Sequence, residues 1–235
     1  TLILLSLFLT PVYALEDDDF KAVWVTTVYN LDYPSKGTTD SKQLKSEASS
    51  ILDNIASMGM NAVILQVRPA SDSFYKSDIF PWSRFLTGQA GTAPSDGFDP
   101  LEYWIDEAHK RGLELHAWIN PYRITKSNAS NGVATIDMLP DGHPAKINPS
   151  YIVSYSDGEL YFDPGIPEVR NLIIDGAVEI CENYDIDGIH LDDYFYPGTN
   201  FNDDNTFLLY GKDFSSKDDW RRNNVDIFVS ELYAA

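Results

Sequence analysis

The chain alternates between short apolar runs and longer segments with helical periodicity. Four runs are rich in β-branched and aromatic residues, which predicts strands with buried faces. These predicted strands are residues 22–29, 61–69, 113–123 and 185–195. Each is followed by a polar loop and then by apolar residues at three- and four-residue intervals, which predicts an amphipathic helix. The predicted helices are residues 41–59, 98–112, 166–184 and 220–235.

Local signals support the ends of two helices. Asp99 and Pro100 stand where the second helix would begin, because aspartate accepts hydrogen bonds from the first N–H groups and proline fits the first turn. Gly59 and Gly112 follow the first and second helices, where a glycine commonly ends a helix. In the long stretch after the third strand, the Asp-Gly pair of YSDGELYF predicts a small β-hairpin.

The regular order of strand, loop and helix predicts an α/β fold with a parallel sheet covered by helices. Two architectures are compatible with this order, a doubly wound open sheet and a TIM (β/α)8 barrel. The chain has no G-x-G-x-x-G turn, and its long polar segments follow the strands, as in barrel enzymes. We therefore favour the barrel. A full barrel needs roughly 250 residues, so we predict that this chain holds about the first half, strands 1–4 and their helices.

The start of the chain predicts export. Residues 1–14 are apolar and end in Val-Tyr-Ala, which is typical of the end of a secretory signal peptide. We expect a secreted or cell-envelope protein, with an acidic linker at 15–20 and the barrel at 21–235. No later run reaches the roughly 18 apolar residues of a transmembrane helix, so no membrane insertion is expected after signal removal.

The net charge of the chain limits the classes of partner that it is expected to bind. It has 36 acidic and 17 basic residues, a formal net charge of -19. Nucleic acid and anionic membrane surfaces both require a basic footprint, so neither is an expected partner. The single cysteine, Cys181, cannot form an internal disulfide. The composition fits a protein that meets a neutral or cationic substrate.

Polar side chains gather at the predicted carboxyl ends of the strands. In GIHLDD, side chains alternate between faces, so Ile189, Leu191 and Asp193 share one face, and the other carries His190 and Asp192. The apolar face suits the covering helices. We therefore predict that His190 and Asp192 point toward the barrel axis, near its mouth. The residues that the same phase sends inward from strands two and three are Gln66, Arg68, His116, Trp118 and Asn120.

Asp192 is the candidate nucleophile or stabiliser of a cationic transition state. Close to Arg68 its carboxylate would stay ionised, as either role requires. Asp193, also a catalytic candidate, would begin the loop and could orient a neighbour, touch substrate or hold a proton. The competing interpretation of this pair is that it caps a helix or solvates a loop. The other predicted substrate contacts are Asp32, Arg68, Trp82, Trp118, Asn120, Tyr122, His190 and Tyr194.

Six segments of the chain carry a family resemblance: WVTTVYNLDYPS, NAVILQVRPASDSFYKS, PWSRFLTG, FDPLEYWIDEAHKRGLELHAWINPYR, YFDPGIPEVR and DIDGIHLDDYFYP. In this order they resemble the glycosyl hydrolase-like 10 family of secreted bacterial proteins. The resemblance covers residues 21–235. It implies a glycosidase-like TIM barrel related to the α-amylase-like barrels, and some relatives are linked to the glycan strands of peptidoglycan.

A looser similarity concerns the mechanism. In α-amylase-like barrels, strand four ends in G-x-R-x-D, whose Asp is the nucleophile. The segment GIHLD has the same spacing, with His190 where that pattern has Arg. In those barrels the proton-donating Glu ends strand five, which implies that the acid/base lies beyond residue 235. We therefore expect this chain alone to be inactive.

Three functions remain open from the sequence. The favoured one is an exported glycoside hydrolase that acts on a polysaccharide and needs no cofactor. The second is a non-catalytic carbohydrate-binding or cell-wall-associated barrel, which the same aromatics and carboxylates would serve. The third is a metal-dependent hydrolase using His116, His190 and Asp192. No HExxH motif or close His pair supports the third, so no metal is expected.

Overall fold

A computed structural model describes residues 19–126 and 134–235. The predicted signal remnant at 1–14 and most of the predicted acidic linker lie outside these residues. Within the described ranges the strands are β1 Ala22–Val25, β2 Ala62–Arg68, β3 Glu114–Ile119, β4 Ile152–Ser154, β5 Leu160–Phe162 and β6 Gly188–Leu191. The α-helices there are α1 Ser41–Ser57, α2 Arg84–Thr87, α3 Pro100–His109, α4 Pro144–Ile147, α5 Pro167–Asn183, α6 Asp204–Tyr210 and α7 Lys217–Ala234.

The main sheet has the predicted parallel arrangement. Its strands lie in the order β1-β2-β3-β6, and every neighbouring pair is parallel. The predicted hairpin is β4 and β5, which pair antiparallel with Ile152 opposite Phe162. The parallel sheet and its helices fit the first half of a (β/α)8 barrel, as predicted. In the part of the chain that the structure describes, no helix is both long and apolar enough to span a bilayer.

The core lies between the sheet and its helices. Alternate residues of β2 and β3, including Val63, Leu65, Leu115 and Ala117, are fully or almost fully buried and belong to one apolar cluster with the buried sides of α1 and α3. Burial of each valine or leucine side chain in this cluster stabilises the fold by about 1.5–3 kcal/mol. This packing fixes the helix-facing side of β2 and β3, and their opposite face carries the candidate polar residues.

A β-bulge near the end of β2 overturns one prediction. Gln66 pairs with Trp118, but the next pairing is Arg68 with Ile119, so Val67 is an extra residue on its strand. Arg68 therefore does not follow the inward phase of Gln66. It is fully buried on the helix side of the sheet, with its guanidinium 4.0 Å from the centre of the Phe80 ring. The predicted inward orientation of Arg68 beside Asp192 is wrong.

A glycine of α5 makes room for this buried arginine. A methyl group at Gly176 would lie 2.5 Å from Cε2 of Phe80 and 2.7 Å from Nη1 of Arg68. Helix propensity alone would make Gly176→Ala stabilising by up to about 1 kcal/mol. We expect the reverse, a loss of about 1–3 kcal/mol in the free energy of unfolding, because the core is overpacked. Urea denaturation measures this loss of stability. The control is Asp175→Ala, an exposed position on the same helix. A Gly176→Ala variant more stable than the wild type would contradict this packing.

Candidate active site

Asp192 lies immediately after β6 and is held by nitrogen donors. The side-chain amide of Asn120 donates to both carboxylate oxygens, at 3.0 Å each. The indole Nε1 of Trp118 donates to Oδ2 at 3.2 Å, and the backbone N–H of Tyr194 donates to Oδ1 at 3.2 Å. These contacts supply donors to both carboxylate oxygens and fix the orientation of the group. The predicted grouping of Trp118, Asn120 and Asp192 at the carboxyl edge of the sheet is confirmed.

Aromatic rings cover the same face of the sheet below the carboxylate. Trp118 pairs with His190 across β3 and β6, and their rings meet edge to face at 6.3 Å. The ring of Trp24, on β1, lies 5.6 Å from His190 and 5.9 Å from Trp118. Burial lowers the pKa of His190 and nearby His116 lowers it further, against the opposing effect of Asp192. The imidazole is therefore neutral at neutral pH and can hydrogen-bond without adding charge.

A second arginine, Arg123, is linked through its backbone to the residues around Asp192. Its backbone N–H donates to Oδ1 of Asn120 at 3.0 Å, so it is coupled to the amide that holds Asp192. Its guanidinium donates to the carbonyl of Pro69 at 3.3 Å and lies 4.8 Å from the centre of the Tyr194 ring. Tyr194 is half exposed. The stacked pair forms a wall of the mouth next to Asp192.

The loop after β1 is strained at the mouth. Tyr29 and Asn30 adopt φ angles of 59° and 56°, which non-glycine residues rarely do. The Asn30 side chain holds this turn by donating to the carbonyls of Pro34 at 3.0 Å and Phe85 at 2.6 Å. The turn presents the Tyr29 ring edge-on to Phe85 at 5.9 Å. Such strain costs of the order of 1–3 kcal/mol per residue and commonly marks functional sites.

Two further predicted contacts lie elsewhere. Tyr122 is fully buried, and its ring packs 5.6 Å from that of Phe228 in the core, because the chain turns toward the helices after Pro121. Its predicted place in a sugar-binding wall is wrong. Asp32 accepts a hydrogen bond from the backbone N–H of Thr26 at 2.8 Å and closes the loop after β1. The structure does not place its carboxylate among the groups that contact Asp192.

The remaining candidates, Asp193 and Trp82, lie in loops that follow strands of the main sheet. Asp193 is exposed at the start of the loop after β6. Trp82 lies in the loop after β2, where it lines a cavity of about 210 Å³ beside Asp72. Among residues 19–126 and 134–235, no group of three or more His, Cys, Asp or Glu side chains is arranged to hold a metal ion.

Asp72 is the acid of this cavity. Burial raises its pKa to about 6, although a hydroxyl of Ser83, the N–H of Ala70 and the charge of Arg68 all act in the opposite direction. The Ala70 N–H donates to Oδ1 of Asp72 at 3.1 Å. The carboxyl group therefore carries a proton for part of the time at mildly acidic pH. Asp72 is both a hydrogen-bond acceptor and, in that range, a donor.

We expect Asp72 to make folding less favourable as pH rises. Its folded-state pKa is above the unfolded value of about 3.9, so the folded chain binds more protons between about pH 4 and pH 6, and stability falls through that interval. Asp72→Asn removes this titration. The melting temperature of the wild type minus that of Asp72→Asn should therefore decrease as the pH rises from about 4 to about 7. A constant difference across that range would contradict the burial of this group.

The candidates chosen from the sequence leave out Tyr29, Asp72 and Arg123. Asp72 and Arg123 were visible as charged residues in loops that follow predicted strands, which is the signal that could have found them. The left-handed turn at Tyr29 has no such signal, because neither Tyr nor Asn requires that conformation. Its place at the mouth depends on contacts with a loop more than fifty residues away, at Phe85.

A parallel sheet with a carboxylate, an amide and aromatic rings at its carboxyl edge is typical of the mouth of a barrel enzyme. The family model of glycosyl hydrolase-like 10 matches residues 19–235. The chain belongs to this family. It is 46% identical over 93% of its length to glycosyl hydrolase YngK of Bacillus subtilis, and 35% identical over 90% to glycosyl hydrolase DigH of Escherichia coli K12.

The chain spans about half the length of these curated relatives, 42% of YngK and 51% of DigH. Among solved structures, α-L-fucosidase isoenzyme 2 from Paenibacillus thiaminolyticus matches 90% of the chain with a TM-score of 0.56 and 15% identity. The match covers 29% of that enzyme's chain. At this identity the likeness shows the fold alone.

Proposed function

We propose that the protein is an exported glycoside hydrolase that acts on a polysaccharide, with the glycan strands of bacterial peptidoglycan as the first candidate. Asp192 is the nucleophile or the stabiliser of the oxocarbenium-like transition state. The observation that carries this proposal is the set of donors from Asn120, Trp118 and Tyr194 that aims the Asp192 carboxylate at the mouth of the sheet. Family membership and the names of the relatives support the reaction class.

The neighbouring groups have separable roles. Asn120 orients the Asp192 carboxylate, and His190 and Trp118 form the floor beneath it. Tyr194 stacked on Arg123, together with Trp82 in the next loop, provides aromatic faces for sugar rings. Sugar rings present apolar C–H faces and polar edges, so aromatic walls with a few hydrogen-bonding groups suit them.

A glycosidase needs a second carboxyl group, about 5–5.5 Å from the first for retention of configuration or about 6.5–9.5 Å for inversion. Asp193 is next to Asp192 in the chain but exposed in the following loop, so it is a poor partner. We propose that the proton donor is a carboxyl group outside the described residues, because the resemblance to α-amylase-like barrels implies an acid at the end of the fifth strand.

The test is sugar release by the natural full-length gene product. Purified peptidoglycan and a panel of glucans are incubated with the protein, and the soluble products are identified by mass. The proposal expects fragments from at least one polymer, with a newly formed reducing end. Retention of a polymer in a pull-down without any released fragment would instead support the non-catalytic binding barrel. If no polymer is cut or retained, both functions fail.

A further inference from the structure

The turn after β1 that carries Tyr29 is fixed to the neighbouring strand. The buried side-chain oxygen of Gln66, on β2, accepts hydrogen bonds from the backbone N–H groups of Thr27 and Val28, at 3.0 Å each. The hydroxyl of Thr27 donates to the backbone carbonyl of Gln66 at 2.8 Å. These contacts hold the beginning of the turn, and the bonds that Asn30 donates to Pro34 and Phe85 hold its end.

The turn keeps a tyrosine where glycine would fold more easily. The backbone of Tyr29 is left-handed, with φ at 59°, and a residue with a side chain is less stable in this conformation than glycine. The hydrogen bonds that fix the turn come from Thr27, Val28 and Asn30, so they do not require a side chain at position 29. Strain of this kind persists where the surroundings impose it, and it clusters at ligand-binding sites.

The Tyr29 ring stands among groups from the other loops of the mouth. Its T-shaped contact with Phe85 covers at most one face of the ring, and 37% of the residue is exposed. Burial and the charge of Glu159 raise the pKa of the hydroxyl, whereas the charge of Arg123 lowers it. Arg123 stacks on Tyr194, which adjoins the proposed reaction centre. Tyr29 therefore belongs to the wall of the mouth that Arg123 and Tyr194 form.

A second tyrosine of the same turn shows the surroundings of a purely structural ring. Tyr33 is fully buried, and its ring meets that of Trp104 edge to face at 5.0 Å in the core. Tyr29 is instead partly exposed, rigidly held and close to charged groups. A sugar ring suits such a place, because its apolar C–H face packs on an aromatic ring and its hydroxyls meet polar neighbours.

We propose that Tyr29 is a specificity-determining residue whose ring is the platform for a sugar unit of the polymer that crosses the mouth. The inference rests on the proposed function and adds a residue that the reaction centre does not contain. The sugar on this platform is not the one whose bond is cut, so the contact is the same in the ground state and the transition state. Loss of the platform therefore weakens polymer binding without slowing turnover.

Binding is measured by sedimentation of the full-length protein with purified peptidoglycan and with each of several insoluble glucans. For the polymer retained most strongly, Tyr29→Ala should weaken binding about tenfold, through the loss of one aromatic contact. Tyr29→Phe keeps the ring and should bind within about twofold of the wild type. The control is Tyr103→Ala on α3, which removes a similar T-shaped contact, with Phe98 at 5.7 Å, and should leave binding unchanged.

A comparison of Tyr29→Gly with Tyr29→Ala separates the ring from the backbone. Both variants remove the ring, but only glycine adopts the left-handed conformation without strain, so Tyr29→Gly should unfold at a higher urea concentration than Tyr29→Ala. The two variants should bind the polymer equally weakly. Binding by Tyr29→Ala as tight as that of the wild type, or weakened binding in Tyr29→Gly alone, would overturn the platform.

Kinetics on a polymer that is cut gives a second readout. Tyr29→Ala should raise KM about tenfold and leave kcat within about twofold of the wild type. A lower kcat at unchanged KM would also overturn the platform.

These outcomes are distinct from failure of the proposed function. A polymer that is cut and bound without any effect of Tyr29 retains the hydrolase and removes the platform. A polymer that is retained through Tyr29 but not cut retains the platform and removes the hydrolase. If no polymer is retained or cut, both proposals fail.

Discussion

Replacing Asp192 with asparagine is expected to reduce sugar release by the full-length protein at least about a thousandfold. The carboxylate is the group that would attack the anomeric carbon or stabilise its positive charge, and an amide does neither. Asp193→Asn is the matched control, because the neighbouring residue has the same chemistry but is exposed in the loop. We expect that control to retain most of the activity. Products are quantified by mass at equal protein concentration.

Loss of activity must be separated from loss of structure. In Asp192→Asn the new amide NH₂ would meet the donors Asn120 and Trp118, so some stability is lost. Asp192→Ala leaves a space in which a small external anion can act. If Asp192 is the nucleophile, azide should restore turnover of an activated glycoside and give a glycosyl azide. Activity of Asp192→Asn equal to wild type, with the fold intact by circular dichroism, would remove Asp192 from the mechanism.

Alternation along the strands predicted the central part of the site correctly. Period-two reasoning placed Trp118, Asn120 and Asp192 together, and the structure joins them by hydrogen bonds. The inference works there because β3 and β6 pair in regular register. It fails for Arg68, because one extra residue in β2 reverses the face of the next side chain. Apolar periodicity carries no signal for such a bulge.

The ends of strands were less predictable than their cores. The apolar run 185–195 was predicted as one strand, but β6 ends at Leu191. Beyond the last residue of a strand, the packing of the following loop decides where side chains point. For this reason Tyr122, which follows β3, enters the core instead of lining the mouth. The short helices α2, α4 and α6 were not predicted, since four to seven residues give too little periodicity. Contacts between loops, such as Arg123 with Tyr194, require the folded arrangement.

The substitution Asn120→Asp tests the hydrogen bonds that hold the Asp192 carboxylate, through its effect on the stability of the fold. Asn120 is fully buried, and its amide nitrogen lies 3.0 Å from both oxygens of Asp192. The substitution replaces this donor with a second carboxylate at nearly the same distance. Two carboxylates so close cannot both ionise, so the pair takes up a proton. We expect a loss of about 3 kcal/mol or more in the free energy of unfolding at neutral pH, measured by urea denaturation.

The pH dependence of this loss identifies its cause. In Asn120→Asp the pair has a higher affinity for a proton in the folded chain than an unfolded aspartate with its pKa of about 3.9. The folded state therefore binds more protons above about pH 4, and stability falls as pH rises through that region. Acidification should restore much of the loss. Asn200→Asp is the matched control, because exposed Asn200 accepts from Tyr155 and a carboxylate can do the same. Equal, pH-independent losses in both variants would mean that Asn120 does not face the Asp192 carboxylate, and the proposed reaction centre would lose its geometric basis.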